Sequence, residues 1–331
     1  MITLDQVPLD DPTARLLWDE QQAEIFERYG EPDTDADFAE QLPPDGLLAS
    51  IIAVTGAGEP VGTAVVRWSP YATGHGAAEV KRLYVRPEHR GRGYSRVLMG
   101  GAEKVARAAG AVRVVLETGT EQPEAMALYA AIGYSRITPY GPYKDDPRSV
   151  CFGRELATRV LVVNGTIGAG KTKVAGALHD VLGDRGARVA MIDGDYLCQA
   201  VPADPDDPFN QNLLFANLAA VAPVYRAAGF GLMVIARVVE DAADRGRYAR
   251  AFAANGHPAE VILARVTAPE QERKDRIVQR DIEPEWQEWG HARTVELEAA
   301  LDELALDDVV IDNVGRTPAD TAAELIAEIG W

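Results

Sequence analysis

The stretch from Arg159 to Thr172, RVLVVNGTIGAGKT, limits the folds open to this chain more than any other. An apolar run typical of a buried strand, Val160 to Val163, leads into Gly165. Four residues later come Gly170, Lys171 and Thr172, which gives the spacing G-x-x-x-x-G-K-[ST] between a strand and a helix-forming stretch, Lys173 to Leu182. Gly165, Gly168 and Gly170 free the backbone N–H groups to turn inward on a polyphosphate, at a helix N-terminus whose dipole favours anions. Lys171 would then reach the β- and γ-phosphates, and Thr172 would offer its hydroxyl to Mg2+. A glycine-rich strand-to-helix turn explains one or two of the glycines but not the Lys-Thr pair. The stretch therefore predicts a nucleotide site whose ligand is bound with Mg2+.

Downstream, strands and helices alternate. Arg188 to Ile192 reads as a strand ending in Asp193-Gly194-Asp195, Asn210 to Ala228 as a helix, and Gly231 to Val239 as a buried strand. Asp241 to Ala254 reads as a helix, Pro258 to Val266 as a strand, and Pro269 to Arg280 as a helix carrying Arg273, Arg276 and Arg280. Val309 to Ile311 and a helix over Pro318 to Ile329 follow. That alternation implies a parallel sheet with ligands at the strand C-termini. Residues 159–331 resemble the P-loop small-molecule kinases, among them adenylylsulfate kinase, gluconate kinase and chloramphenicol phosphotransferase. The resemblance implies that ATP is the phosphoryl donor, that Asp195 is the base for the acceptor hydroxyl, that Asp193 helps hold Mg2+ or substrate, and that the three arginines form a lid over the transferred phosphoryl. A solvated basic face among Glu270, Glu272 and Asp275 has the same spacing. The strand 231–239 lacks the terminal Asp with which many NTPases hold the metal; Arg237, Glu240 and Asp241 stand there, and Arg237 is expected to contact substrate.

At 331 residues the chain has room for two domains, and with 47% hydrophobic residues neither needs disulfides to build a core. Two cysteines, Cys151 and Cys198, read as reduced thiols. Neither a leader-like N-terminus nor a membrane-length apolar run is visible, so the expectation is a cytoplasmic protein with no membrane partner. The net charge of −18 argues against nucleic acid as a partner.

In the first half, Leu47 to Thr55 and Pro60 to Trp68 read as a hairpin, and Ala78 to Val85 as a third strand. Next comes RPEHRGRGYS, Arg86 to Ser95, an arginine- and glycine-rich turn opening onto a helix over Arg96 to Ala109. It is a second anion cradle, without the Lys-Thr pair. Residues 1–156 resemble the GNAT N-acetyltransferase superfamily. Arg90, Gly93 and Ser95 match its Arg/Gln-x-x-Gly-x-Gly/Ala motif, with Ser95 a small-residue departure, and Ala127 to Tyr134 is similar to the family helix whose tyrosine faces the coenzyme thiol.

The resemblance implies acetyl-CoA as donor, held by Arg90, Gly91, Gly93 and Ser95, with Tyr129 as proton donor to the leaving thiolate. Backbone groups near Leu83 and Val85 would polarise the thioester carbonyl. Glu79 is the first candidate base and Glu117 the second. The expected fold is α/β, a GNAT-type mixed sheet with flanking helices fused to a P-loop NTPase-type parallel-sheet kinase domain. Only Ala157 and Thr158 separate the halves, too short a link for a flexible tether. The expected function is bifunctional: acetyl transfer to an amine and ATP-dependent phosphoryl transfer to a hydroxyl, as in antibiotic or natural-product modification. The rival is an acetyltransferase regulated by a nucleotide-sensing domain. Acidic loops at Glu31 to Asp37, Asp145-Asp146 and Asp204 to Asp207 suggest a cationic, amine-bearing small-molecule acceptor.

Overall fold

A computed structural model describes residues 2–30, 45–71, 74–254 and 256–331. The acidic loop Glu31 to Asp37 lies outside them. The chain divides into two compact units, 1–156 and 157–331.

The first unit is built on a seven-stranded sheet of order β1-β2-β3-β4-β5-β7-β6. Its strands are β1 (Ile2–Val7), β2 (Leu47–Thr55), β3 (Pro60–Trp68), β4 (Ala77–Val85), β5 (Arg113–Gly119), β6 (Ser135–Arg136) and β7 (Ser149–Glu155). Helices cover both faces, so the central strands read as continuous apolar runs. Ile51, Ala64 and Val66 pack with Leu98 and Ala102 of α2 (Tyr94–Ala108). Ile52 and Val65, one residue out of phase, pack with Leu17 and Trp18 of α1 (Pro12–Tyr29). The Trp18 indole N–H donates to Thr63 Oγ1 at 3.2 Å, which satisfies a buried donor on that second face.

All pairings in this sheet are antiparallel except β4 with β5. That parallel pairing runs only from Ala77↔Arg113 to Val80↔Leu116, although both strands continue. The reason lies in β4. Against β3 the register moves from Thr63↔Tyr84 to Val65↔Lys81, so β4 holds one extra residue, and Arg82 takes a left-handed φ of 54°. A bulge of this kind bends its strand. Beyond Val80 the two strands part, and the notch between them places the site.

The second unit is a five-stranded, wholly parallel sheet of order β12-β11-β8-β10-β9. Its strands are β8 (Arg159–Asn164), β9 (Val189–Asp193), β10 (Leu232–Ala236), β11 (Glu260–Thr267) and β12 (Val309–Asp312). One face packs on α4 (Lys171–Asp184) and α9 (Pro318–Ile329), the other on α5 (Gln211–Ala227) and α6 (Asp244–Ala251). Helices α7 (Glu270–Arg280) and α8 (Pro284–Leu304) pack on each other through Gly290, where a Cβ would stand 3.1 Å from Ile277. With β9 and β10 on one side of β8 and β11 and β12 on the other, the order of strand connection reverses beside β8, which opens a crevice at its C-terminal end. No helix among the described residues is long and apolar enough to cross a membrane.

Candidate active sites

Two cavities open from the notch of the first unit. One, of about 250 Å³, is lined by Leu83, Tyr84 and Val85 of β4, by Arg90, Gly91, Gly93 and Ser95, and by Tyr129 on α3 (Pro123–Ala131). Gly91 and Gly93 have φ of 75° and 80°, and a Cβ on either would meet open space. The turn is thus left-handed at both glycines and ends at the start of α2, which directs backbone N–H groups outward, as an anion requires. Arg90 donates from Nε to the Val85 carbonyl at 2.8 Å and from its terminal nitrogens to Glu24 at 3.1 and 2.5 Å. Glu24 also takes Arg28 at 2.7 Å. Burial raises the pKa of Glu24, but the two guanidinium groups outweigh it and keep the carboxyl below its usual range.

The second cavity, of about 380 Å³, lies on the β5 side of the notch, with Lys81, Arg82, Glu117, Tyr143, Arg148 and Ser149 among its lining residues. Leu83 and Tyr129 border both cavities. Tyr129 is buried, and burial followed by the charge of Glu117 raises its hydroxyl pKa well above the ordinary value, so it stays protonated. Glu117 accepts the Ser149 hydroxyl at 3.1 Å. Glu79 lines neither cavity. It is buried against Arg67 on β3, which donates to Glu79 Oε2 from Nε at 2.9 Å and Nη2 at 2.7 Å. The structure brings Tyr129, Leu83, Val85, Arg90 and the two glycines together and leaves Glu79 outside.

In the second unit the turn 165–170 folds back at the end of β8. Gly165, Gly168 and Gly170 all have left-handed φ, at 139°, 80° and 107°. At each a Cβ would collide, 2.5 Å from the Val266 carbonyl oxygen, 2.5 Å from that of Arg273 and 2.6 Å from Asn313 Nδ2. Lys171 Nζ donates to the Thr166 carbonyl at 3.0 Å, which curls the ammonium over the turn. Desolvation pulls its pKa down to about 8; Asp195 and Asp193 oppose this, and Arg280 and Arg237 add to it. Thr172 Oγ1 donates to Asp193 Oδ2 at 3.1 Å, and Asp193 Oδ1 accepts the Asp195 backbone N–H at 3.0 Å. Among the described residues no cluster of three or more His, Cys, Asp or Glu forms a ready-made metal cage. A hydroxyl and a carboxylate oxygen side by side nevertheless suit Mg2+, which takes few protein ligands and completes its shell with water and phosphate oxygens.

Arg237, at the end of β10, is buried and ion-paired with Asp195, and its other terminal nitrogen donates to the Phe209 carbonyl at 3.2 Å. It holds the candidate base instead of projecting toward solvent. The α7 arginines diverge in use. Arg273 is buried, donating to the Ala268 carbonyl at 2.9 Å and pairing with Glu298. Arg276 donates to the carbonyls of Gly168 and Ala169 at 3.2 and 3.1 Å, clamping the turn from outside. Only Arg280 is exposed; it pairs with Asp281 and feels the charge of Asp195. The three do not form one basic face over the crevice.

Residues that composition and spacing did not single out complete the site. Asn164 takes the N–H groups of Gly165 and Val239 on Oδ1 at 2.8 and 2.9 Å, tying β8 to the segment after β10. Asn313 donates to the Ala169 carbonyl at 3.0 Å, and Thr294 of α8 to that of Ile167 at 2.7 Å. An Asn closing an apolar strand is the one sequence sign of this bracing. In the two acidic loops among the described residues, Asp207 accepts the Gln211 and Asn212 N–H groups at the start of α5, at 2.7 and 2.9 Å, and Asp146 binds Arg148 at 2.8 Å.

Comparison with known proteins follows the same division. The acetyltransferase (GNAT) family matches residues 13–134. The adenylylsulphate kinase family matches residues 157–281. An IAA acetyltransferase of Azospirillum brasilense is 42% identical over 81 residues, which are 24% of this chain and 53% of that protein. The chain thus spans about half the length of that curated relative. Among solved structures, a Klebsiella pneumoniae protein assigned as an acyl-CoA N-acyltransferase is 30% identical with a TM-score of 0.40, over 47% of this chain and 98% of that one. An IAA acetyltransferase from Bacillus cereus is 15% identical with a TM-score of 0.36, over 47% and 100%. Both are families of enzymes, the first using acetyl-CoA and the second ATP, and their matches fall one in each compact unit: an acetyltransferase (GNAT) domain at 13–134 and an adenylylsulphate kinase domain at 157–281.

Proposed function

We propose that the chain is a bifunctional transferase that moves acetyl from acetyl-CoA to the amine of a small molecule and the γ-phosphoryl of ATP to a hydroxyl. For the first activity the carrying observation is the shared wall of the two cavities at Tyr129 and Leu83. The cradle of Arg90, Gly91, Gly93 and Ser95 binds the pyrophosphate on one side, and the acceptor enters from the other. Glu117, within the acceptor cavity, takes the proton of the incoming ammonium, and the freed amine attacks the thioester carbon. The new N–C bond forms as the C–S bond breaks, backbone N–H groups near Leu83 and Val85 meet the charge gathering on the carbonyl oxygen, Tyr129 gives its proton to the sulfur, and the second proton shed by the amide nitrogen restores the Tyr129 hydroxyl. Glu79 keeps a structural part through Arg67.

For the second activity, the 165–170 turn and Lys171 bind the triphosphate. Thr172 and Asp193 would hold Mg2+, which when bound screens the phosphate charge. Asp195, oriented by Arg237, takes the proton of the acceptor hydroxyl, and Arg280 lies near enough to neutralise the moving phosphoryl. Incubating the full chain with acetyl-CoA, ATP and a panel of aminated, hydroxylated small molecules, with mass spectrometry for gains of acetyl and phosphoryl, tests both halves. Absence of both products with every acceptor would refute the proposal.

The Asp195–Arg237 pair also favours a second reading, in which the kinase-family domain senses nucleotide and the acetyltransferase responds. A carboxylate oxygen held by a buried guanidinium is not free to accept from an acceptor hydroxyl. ATP binding without phosphorylated product, together with an acetylation rate that changes with ATP, would select that reading.

A further inference from the structure

The charges lining the second cavity of the acetyltransferase unit do not suit a purely cationic acceptor. In a chain of net charge −18, this wall carries Lys81, Arg82 and Arg148 against Glu117 and Asp146. Arg148 and Asp146 neutralise each other, through contacts of 3.2 Å from Nε and 2.8 Å from Nη2. Among the described lining residues, Lys81 and Glu117 then remain to be accounted for. Glu117 already has a part, since its charge reaches Tyr129 and it faces the junction with the coenzyme cavity. Lys81 has none: its ammonium makes no hydrogen bond or ion pair among the described residues.

Strand geometry sets Lys81 beside Glu117. Glu79 pairs with Val115, and Val80 with Leu116 at the last rung before the strands part, so Lys81 and Glu117 are the next residues on each side of the notch. Side chains two apart on a strand share a face, which puts Lys81 on the same side as Glu79 and Glu117 on the same side as Val115. The acceptor thus meets a carboxylate on one side of the notch and an ammonium on the other, with no ion pair between them. A polyamine would find that ammonium repulsive. A neutral amine would leave it unanswered.

We infer that the acceptor of the acetyl group is an amino acid or a similar amine-bearing acid, whose amine lies at Glu117 and Tyr129 and whose carboxylate or other anionic group pairs with Lys81. This rests on the reading of the cavity as the acceptor site. Its test uses the full chain with acetyl-CoA and a set of L-amino acids, each paired with its α-carboxamide. The acids are expected to be the better substrates. Lys81→Gln should lower kcat/KM for the acids about 10- to 100-fold, the scale of one hydrogen bond to a charged group, and change the amides less than about twofold. Lys81→Arg should restore most of the loss. A second arm needs no turnover: N-acetylglycine and N-acetylglycinamide are titrated in the presence of coenzyme A and followed by ligand-observed NMR. The acid should bind and lose binding in Lys81→Gln, and the amide should not. Equal use of acids and amides, or indifference of both arms to Lys81→Gln, would overturn the inference while leaving acetyl transfer in place. Absence of any acetylated product would instead overturn the underlying reading, and the binding arm would still decide the role of Lys81.

Discussion

Glu79 and Arg67 face each other across β4 and β3 and form a salt bridge of 2.7 Å, with side-chain exposures of 1% and 2%. Tyr71 stacks near the same guanidinium at 5.6 Å. Removing one partner of such a pair strands the other in a low dielectric, at a cost of about 3–5 kcal/mol. Glu79→Ala is therefore expected to lower the thermal unfolding temperature strongly, with the folded fraction still able to acetylate. Intact stability with a collapsed kcat would put Glu79 back in the chemistry.

Tyr129→Phe removes the proton donor but keeps the ring that packs against Phe152 at 5.6 Å. The acetylation rate should fall by about 100-fold or less, the scale of one general acid, with KM for acetyl-CoA nearly unchanged. Glu117→Gln should lower kcat similarly and remove the acidic limb of the pH–rate profile. An unchanged rate in Tyr129→Phe would leave the residue a packing role only.

Much of this was legible in the sequence because it is local. The strand–loop–helix pattern at 159–172 and the turn at 86–95 declare their geometry through glycines that need positive φ, and apolar runs declare the buried strands. What stayed hidden depends on partners far along the chain. A carboxylate on β4 reads alike whether it faces substrate or Arg67, since cross-strand register decides which. The i, i+3 and i+4 spacing of Arg273, Arg276 and Arg280 locates a helix, but not that Glu298 and the carbonyls of Gly168 and Ala169 capture two of the three. The bulge at Arg82 carries no glycine to announce it, and with it the notch between β4 and β5 went unread.

The lowered pKa of Lys171 sets a pH dependence. In the free protein the ammonium is half deprotonated near pH 8, and a bound polyphosphate raises its pKa again. Lys171 should then take up a sizeable fraction of a proton when ATP binds at pH 8 and almost none at pH 6.5, where the terminal phosphate of ATP itself releases protons, so net uptake should rise with pH between the two. Nucleotide affinity should fall as pH climbs past 8. Calorimetry in two buffers of different ionisation enthalpy reads the proton directly; uptake that does not vary between these pH values would contradict the assignment.

The central claim is that two separate donor sites, one in each unit, serve the two transfers. Calorimetric titration of the full chain with acetyl-CoA and with ATP, on the parent protein and on Arg90→Ala and Lys171→Ala, tests it most directly. Arg90→Ala should weaken acetyl-CoA and leave ATP binding within about twofold, since its contacts end at Val85 and Glu24. Lys171→Ala should do the reverse. Loss of both ligands in either folded variant, or retention of ATP binding in Lys171→Ala, would contradict the account.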